Sequence, residues 1–330
     1  MNITRRDLLK AATAVAAAMG IKAAGFPDAE VLAKTGGLKV VWLQAQSCSG
    51  CSVSLLNSIY YDTIEGLVLN TLDLKFHPTV MAAAGSTAVR AAEAARLAGG
   101  YVLVVEGSVP TGAAGEYCYL WPGVRAVDGV KAYARNAIYI VAVGTCAAYG
   151  GIPAGTPNVT GAKGLRDILT GKTVVNLPGC PTHPDWIVGT IAYILANGHA
   201  PTLDSSGRPT DYYGRLVHDN CPNLAAYTSN YRSRAEGGHA GGQSCLACHR
   251  NNDSDVRSPR QLGQAGCLYP VGCKGRFTYA DCPARKWNGG APGTPGVNWC
   301  IGARAPCHGC TQPNFPDGMS PFFTLNGPGA

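Results

Sequence analysis

Fourteen cysteines stand in this chain of 330 residues, and their placement asks for chemistry. Cys48-Ser49-Gly50-Cys51 sets two thiols three positions apart. Cys146 follows in Gly144-Thr145-Cys146, and Cys180 in Pro178-Gly179-Cys180-Pro181. A denser series comes later: His218-Asp219-Asn220-Cys221, then Cys267, Cys273, Cys282, Cys300, Cys307 and Cys310. Four thiolates on one centre suit an iron–sulfur cluster or a zinc ion. The seven cysteines and one histidine of the later series could fill two more four-ligand sites. A lone histidine is usually structural; one set three residues before a cysteine in a cysteine-rich, core-poor segment reads as a ligand. Zinc and two disulfides are the competing readings for the first four cysteines. Cys118 is assigned no role and reads as a buried or free thiol.

Such groups need elements to position them. Leu38–Leu43, Leu72–Phe76, Tyr101–Val105, Ile138–Val143 and Val174–Leu177 read as strands, short and largely apolar. Met81–Ala98 reads as an Ala-rich helix, and Asp185–Leu195 as a second, closed by Asn197-Gly198. Apolar strands alternating with helices imply a parallel sheet covered on both faces. Cys48 and Cys51, Cys146, and Cys180 each follow the carboxyl end of one of these strands. In an open α/β sheet those ends converge on one crevice, so four thiols from three loops can meet in space. Glycines at each site let backbone N–H groups approach inorganic sulfides, which favours a cluster over zinc. Beyond about residue 200 the periodicity fades, and ten of the fourteen cysteines lie after residue 150. That half is too poor in apolar periodicity to fold on a core alone and needs metals or disulfides.

The bulk numbers narrow the class. The chain is 46% hydrophobic and 14% charged, which excludes disorder. Net charge is +7, of which residues 1–24 contribute +3 through four Lys/Arg and one Asp. No basic stripe with interleaved aromatics is present, so nucleic acid is not an expected partner. Thr4-Arg5-Arg6-Asp7-Leu8-Leu9-Lys10, followed by the mildly apolar run Ala11–Ile21, reads as a twin-arginine export signal over residues 1–35. The run is too short to cross a bilayer, and no later run is long enough. A soluble periplasmic protein, exported folded with its cofactors in place, is the expectation.

Taken in order, several segments resemble the small subunit of nickel–iron hydrogenases over nearly the whole chain. They are Trp42-Leu43-Gln44, Cys48-Ser49-Gly50-Cys51, His77-Pro78-Thr79, Val105-Glu106-Gly107, Gly144-Thr145-Cys146 and Pro178-Gly179-Cys180-Pro181. In the second half they are His218-Asp219-Asn220-Cys221, Gly272-Cys273-Lys274-Gly275, Tyr279-Ala280-Asp281-Cys282-Pro283 and Cys307-His308-Gly309-Cys310. Cys51-Ser52-Val53-Ser54-Leu55-Leu56-Asn57 and Phe315-Pro316-Asp317-Gly318 look closer to the nickel–iron–selenium branch. The resemblance implies an α/β fold, with a flavodoxin-like parallel-sheet domain over 36–200 and an irregular cluster-binding domain over 201–330. It implies a proximal [4Fe–4S] cluster on Cys48, Cys51, Cys146 and Cys180. A distal [4Fe–4S] cluster would sit on His218, Cys221, Cys267 and Cys273, and a medial one on Cys282, Cys307 and Cys310. Many family members carry proline where Cys300 stands. Here Cys300 can supply a fourth medial thiolate, so a third [4Fe–4S] cluster is expected. Oxygen-tolerant members carry extra cysteines where this chain has Gly50 and Gly151, so cluster-based oxygen tolerance is not expected. No catalytic residue is expected in this chain: hydrogen would be activated at a nickel–iron, or nickel–iron–selenium, site in a partner large subunit. Electrons would pass to a periplasmic acceptor, expected to be a c-type cytochrome.

One segment departs from that family. Forty-five residues separate Cys221 from Cys267, more than the resemblance leads one to expect. An insert near 235–262 holds Cys245-Leu246-Ala247-Cys248-His249, a CxxCH motif of covalent haem c attachment. Cys245 and Cys248 would add to the haem vinyls and His249 would ligate iron, with His239 a candidate second axial ligand. A Cys245–Cys248 disulfide or a pair of thiols is the alternative. For the whole chain, the other function classes are a stand-alone multicluster electron carrier and a secreted disulfide-rich binding protein. CxxC at a strand end and a folded-export signal do not suit the latter.

Overall fold

The computed structural model describes residues 38–61, 63–67, 72–227, 262–263, 266–289 and 293–323. The segment expected to be an export signal, residues 1–35, and the motif residues His239, Cys245, Cys248 and His249 lie outside the described residues. The chain divides into two compact units, one running to Tyr212 with Gly289–Thr294, the other comprising Tyr213–Asn288 and Pro295 onward.

In the first unit, five strands form one sheet: β1 (Leu38–Gln44), β2 (Leu72–Phe76), β3 (Tyr101–Glu106), β4 (Ala137–Val143) and β5 (Val174–Leu177). Their order is β2-β1-β3-β4-β5 and every pairing is parallel. This is the doubly wound flavodoxin-like order, with the chain reversing direction of growth after β2. All six residues of β3 are buried, as a central strand covered on both faces requires. The core pairs Val41, Leu43, Leu103, Val105, Ile140 and Ala142 from the sheet with Ala88, Ala92 and Ala95 from α2 (Gly85–Ala98) and Val130 and Tyr133 from α3 (Ala126–Asn136). The alanines on α2 recur at helical spacing and let its backbone lie close to the sheet. Two further helices begin where strands end: α1 (Gly50–Leu56) after β1, and α4 (Thr145–Tyr149) after β4. A last one, α5 (Pro184–Asn197), starts with Pro184 in its first turn and ends at Gly198 in the left-handed conformation.

Helix α2 begins at Gly85 rather than Met81. Met81 N–H donates to His77 O at 3.1 Å, closing the turn that follows Pro78, and Ala84 is extended. Helices α1 and α3 are not evident in the sequence pattern.

The second unit has little regular structure. Leu224–Tyr227 and Cys282–Arg285 are single helical turns, and Tyr269–Val271, Gly275–Phe277 and Asp317–Met319 are 3-10 turns. Its interior mixes Val217, Leu268, Val271, Ala280, Ile301 and Met319 with the cysteines Cys267, Cys273 and Cys307. Thiols therefore occupy positions that aliphatic side chains would fill in an ordinary core. Among the described residues, no helix is long and apolar enough to cross a membrane.

Candidate metal centres

The first unit brings its four predicted ligands to one end of the sheet. Cys48 sits in the loop after β1, Cys51 in the first turn of α1, Cys146 in the first turn of α4, and Cys180 in the loop after β5. Backbone bonds tie the loops together. Gly144 N–H donates to Leu177 O at 3.0 Å, Thr145 N–H to Gly179 O at 3.0 Å, and Gly179 N–H to Thr145 Oγ1 at 2.8 Å. Thr182 Oγ1 lies 3.9 Å from Cys51 Sγ and donates to Leu177 O at 2.6 Å. Ser54 Oγ donates to Thr182 O at 2.6 Å, pinning α1 to the loop after β5.

Glycines make the room. Gly144 has φ +91°, and a Cβ there would stand 2.7 Å from Cys51 Sγ. Gly151 has φ +55°, and a Cβ there would stand 2.8 Å from Cys146 Sγ. Only a residue without a side chain fits either position.

The thiols feel one another. Cys146 is pushed up to about 12 by burial, then by Cys180, with Cys48 and Glu106 adding to it. Cys51 is raised by burial first, with smaller contributions from Glu106 and Cys146. Cys180 is raised by burial and then by Cys48. Thiols so placed hold their protons unless a cation compensates the charge, and a bound metal removes the proton outright. Crowded thiols, graded from exposed to buried in a glycine-lined cradle, fit an iron–sulfur cluster. Cys48 and Cys180 remain exposed while Cys51 is buried, so the crevice opens at the surface of this unit. Val53 and Leu56, on the helix that carries Cys51, are exposed.

In the second unit, His218, Cys221, Cys267 and Cys273 line one cavity with about 340 Å³ of atom-free space, counting its open mouth. Leu268 and Ile301 form apolar wall, and Arg276 stands at the same cavity. Burial, then Arg276, lowers the His218 pKa, which favours the neutral ring that metals bind. Burial raises Cys267 to about 12, with Cys273 and Cys221 contributing. The other predicted set also converges. Cys282 is raised well above the thiol range by burial, then by Cys310 and Cys307, with Asp281 and Cys300 adding less. Cys307 is raised by burial and then by Cys273 and Cys310, and its Sγ lies 3.6 Å from Thr278 Oγ1. Cys300 is within electrostatic reach of both Cys282 and Cys273.

No disulfide joins cysteines among the described residues. Nor does any trio of His, Cys, Asp or Glu among them close tightly enough to hold a single metal ion. A four-iron cluster spreads its thiolates wider than one ion does, so that looser spacing agrees with a cluster. Cys118 is half-buried and raised by burial.

The roles of Glu106, Thr145, Thr182 and Thr278 are not evident in the sequence pattern. Glu106 is visible there only as part of Val105-Glu106-Gly107. A carboxylate at the end of an otherwise apolar buried strand is the signal that could find it.

Known proteins are similar to this chain. Residues 48–194 match the family model described as "NADH ubiquinone oxidoreductase, 20 Kd subunit". Residues 213–323 match the family model for the C-terminal region of the NiFe/NiFeSe hydrogenase small subunit. The periplasmic [NiFeSe] hydrogenase small subunit of Desulfomicrobium baculatum is 38% identical over 347 residues, covering 98% of this chain and 99% of that protein. The periplasmic [NiFe] hydrogenase small subunit of Solidesulfovibrio fructosivorans is 38% identical over 325 residues, covering 98% and 93%. The crystal structure of the reduced, active Ni-Fe-Se hydrogenase from Desulfomicrobium baculatum superposes with a TM-score of 0.73 at 38% identity, covering 87% of this chain and 99% of that one. With the sheet order, the thiol-lined crevice and near full-length identity in agreement, the chain belongs to the small-subunit family of nickel–iron and nickel–iron–selenium hydrogenases.

Proposed function

We propose that this hydrogenase small subunit relays electrons between the hydrogen-activating site of its large-subunit partner and a periplasmic acceptor, through three [4Fe–4S] clusters. The observation that carries the proposal is the convergence of four thiols from three strand ends on one glycine-lined crevice. Cys48, Cys51, Cys146 and Cys180 would hold the proximal cluster. The exposed Val53 and Leu56, on the helix that carries Cys51, suit coverage by the large subunit. His218, Cys221, Cys267 and Cys273 would hold the distal cluster, and Cys282, Cys300, Cys307 and Cys310 the medial one. When bound, the clusters would supply one-electron storage and transfer.

The chain's own groups do the rest. Burial of Cys267, Cys273 and Cys307 keeps water and oxidants away from their sulfurs, which protects them from oxidation. Thr278 and Thr182 place hydroxyls beside ligating sulfurs, and such contacts tune potential. His218 brings a neutral nitrogen ligand to a cavity that opens outward, suited to exchange with an acceptor.

The remaining assignments extend this reading. Residues 1–35 are a twin-arginine signal. The sheet domain expected over 36–200 and the cluster domain expected over 201–330 correspond to the two compact units, which divide after Tyr212 with Gly289–Thr294 joining the first. The relatives named periplasmic support the same compartment for this chain. The acceptor is a c-type cytochrome, and Cys245, Cys248 and His249 attach a haem c that extends the relay. Iron and acid-labile sulfide on the purified heterodimer test the cluster count, with about twelve of each expected from this chain. Denaturing electrophoresis with a pyridine haem spectrum tests the haem. Colour staying with this chain is expected, and an intact mass equal to the bare mature polypeptide contradicts it.

A further inference from the structure

Glu106 closes β3 and is 2% exposed, at the end of the sheet where Cys48, Cys51, Cys146 and Cys180 meet. Its two oxygens accept four hydrogen bonds. Oε1 accepts from the Cys51 N–H at 3.0 Å. Oε2 accepts from Trp42 Nε1 at 3.2 Å, from Gln44 Nε2 at 3.2 Å and from Ser52 Oγ. The donors come from β1 and from the first turn of α1, the elements that carry the CxxC segment. They are themselves held. Gln44 Nε2 also donates to Ser52 Oγ at 2.8 Å and to Thr79 Oγ1 at 3.0 Å. Trp42 stacks on the buried ring of His77, with centroids 4.8 Å apart. All four hydrogen bonds to Glu106 donate to the carboxylate. No cation stands among the four donors, so its negative charge is spread over neutral dipoles rather than neutralised.

We infer that Glu106 is a positioning residue that does two things: it fixes the Cys48–Cys51 segment through the Cys51 N–H, and its buried charge lowers the reduction potential of the cluster those cysteines hold. The inference rests on the ligand assignment proposed above for Cys48, Cys51, Cys146 and Cys180. An electron entering that site adds negative charge near a negative carboxylate that is itself buried, so water screens the repulsion poorly on the Glu106 side. Reduction is therefore disfavoured, and removing the charge favours it. Lost donors act oppositely. Trp42→Phe keeps the ring on His77 but removes one hydrogen bond that delocalises the charge.

The experiment is a dye-mediated redox titration of the intact heterodimer, read by electron paramagnetic resonance, for wild type, Glu106→Gln and Trp42→Phe. Glutamine keeps the shape and an acceptor for Cys51 N–H. At a fixed poise, the reduced-to-oxidised ratio of the proximal cluster should rise about tenfold in Glu106→Gln, a shift of about 59 mV for one electron. The distal and medial signals should stay put. In Trp42→Phe the same ratio should fall. An unmoved proximal potential in Glu106→Gln at full iron content overturns the inference. If Glu106→Gln loses the proximal iron, the positioning half stands and Trp42→Phe decides the electrostatic half. A fall in the ratio supports that half and an unmoved ratio overturns it. A wild-type heterodimer with no cluster signal that depends on Cys146 overturns the ligand assignment instead.

Discussion

Gly144→Ala should strip the proximal site of iron while leaving the sheet intact. Gly144 sits at φ 91° and ψ 153°, a region that side-chain-bearing residues scarcely enter and that costs them about 1–3 kcal/mol. The new Cβ would lie 2.7 Å from Cys51 Sγ. Ordinary contact between heavy atoms is about 3.5–4.0 Å, so the sulfur must retreat by about 1 Å. Metal–ligand distances tolerate only about 0.2 Å. Overpacking of this kind costs about 1–3 kcal/mol more. The sum, about 2–6 kcal/mol, approaches the whole stability of a typical domain at about 5–15 kcal/mol. Two routes lower it: the loop moves and the cluster is lost, or folding fails. Gly198→Ala is the control. Gly198 also has positive φ, 67°, but nothing lies within 4 Å of its would-be Cβ. It should cost about 1–2 kcal/mol and no iron. Iron and sulfide per heterodimer, with spin quantitation, read the outcome. About four irons should be missing in Gly144→Ala and none in Gly198→Ala. A Gly144→Ala heterodimer with full iron and an unaltered proximal spectrum refutes this geometry.

Other outcomes follow from the same structure. Wild type should lack an oxidised-state three-iron signal, and Cys300→Ser should produce one near one spin per heterodimer; such a signal already present in wild type contradicts four-thiolate medial ligation. His218→Ala should slow dye reduction roughly tenfold to a hundredfold while hydrogen–deuterium exchange stays near wild type; loss of both would remove His218 from the exit role. Burial pushes His77 down to about 4 from 6.5, against a weaker opposing pull from Glu106. Because the folded value lies below the unfolded one, its contribution is complete above about pH 6.5 and is lost as pH falls towards 4. It amounts to at most about 3 kcal/mol. Thermal bleaching of the heterodimer should therefore quicken across that window, and less steeply in His77→Gln; equal slopes would exclude His77 as the source.

The scaffold of the first unit is legible in the sequence because its signals are local. Runs such as Tyr101–Val105 are continuously apolar, as only a central parallel strand needs to be, and the cysteines follow those runs directly. Helix α3 is not legible. Gly129 falls within it and reads as a breaker, yet a Cβ there would stand 2.3 Å from Leu120 Cδ1, so the glycine serves packing. No loop separates Asn136 from the strand beginning at Ala137, which hides the boundary. In the second unit, grouping His218 with Cys221, Cys267 and Cys273 needs the family resemblance. Turns without periodicity give no strand ends to converge, and only long-range contacts bring those side chains to one cavity. The Glu106 hub is hidden for a similar reason, since its donors lie as far as 64 positions away along the chain.

The most direct test of the electron-carrying role is rapid freezing of the heterodimer after mixing with hydrogen, without added acceptor, followed by electron paramagnetic resonance. Reduction of clusters ligated by this chain should appear within a single turnover, and acceptor added later should reoxidise them. Hydrogen oxidised at the normal rate with acceptor present, while those clusters stay oxidised throughout, would contradict the role.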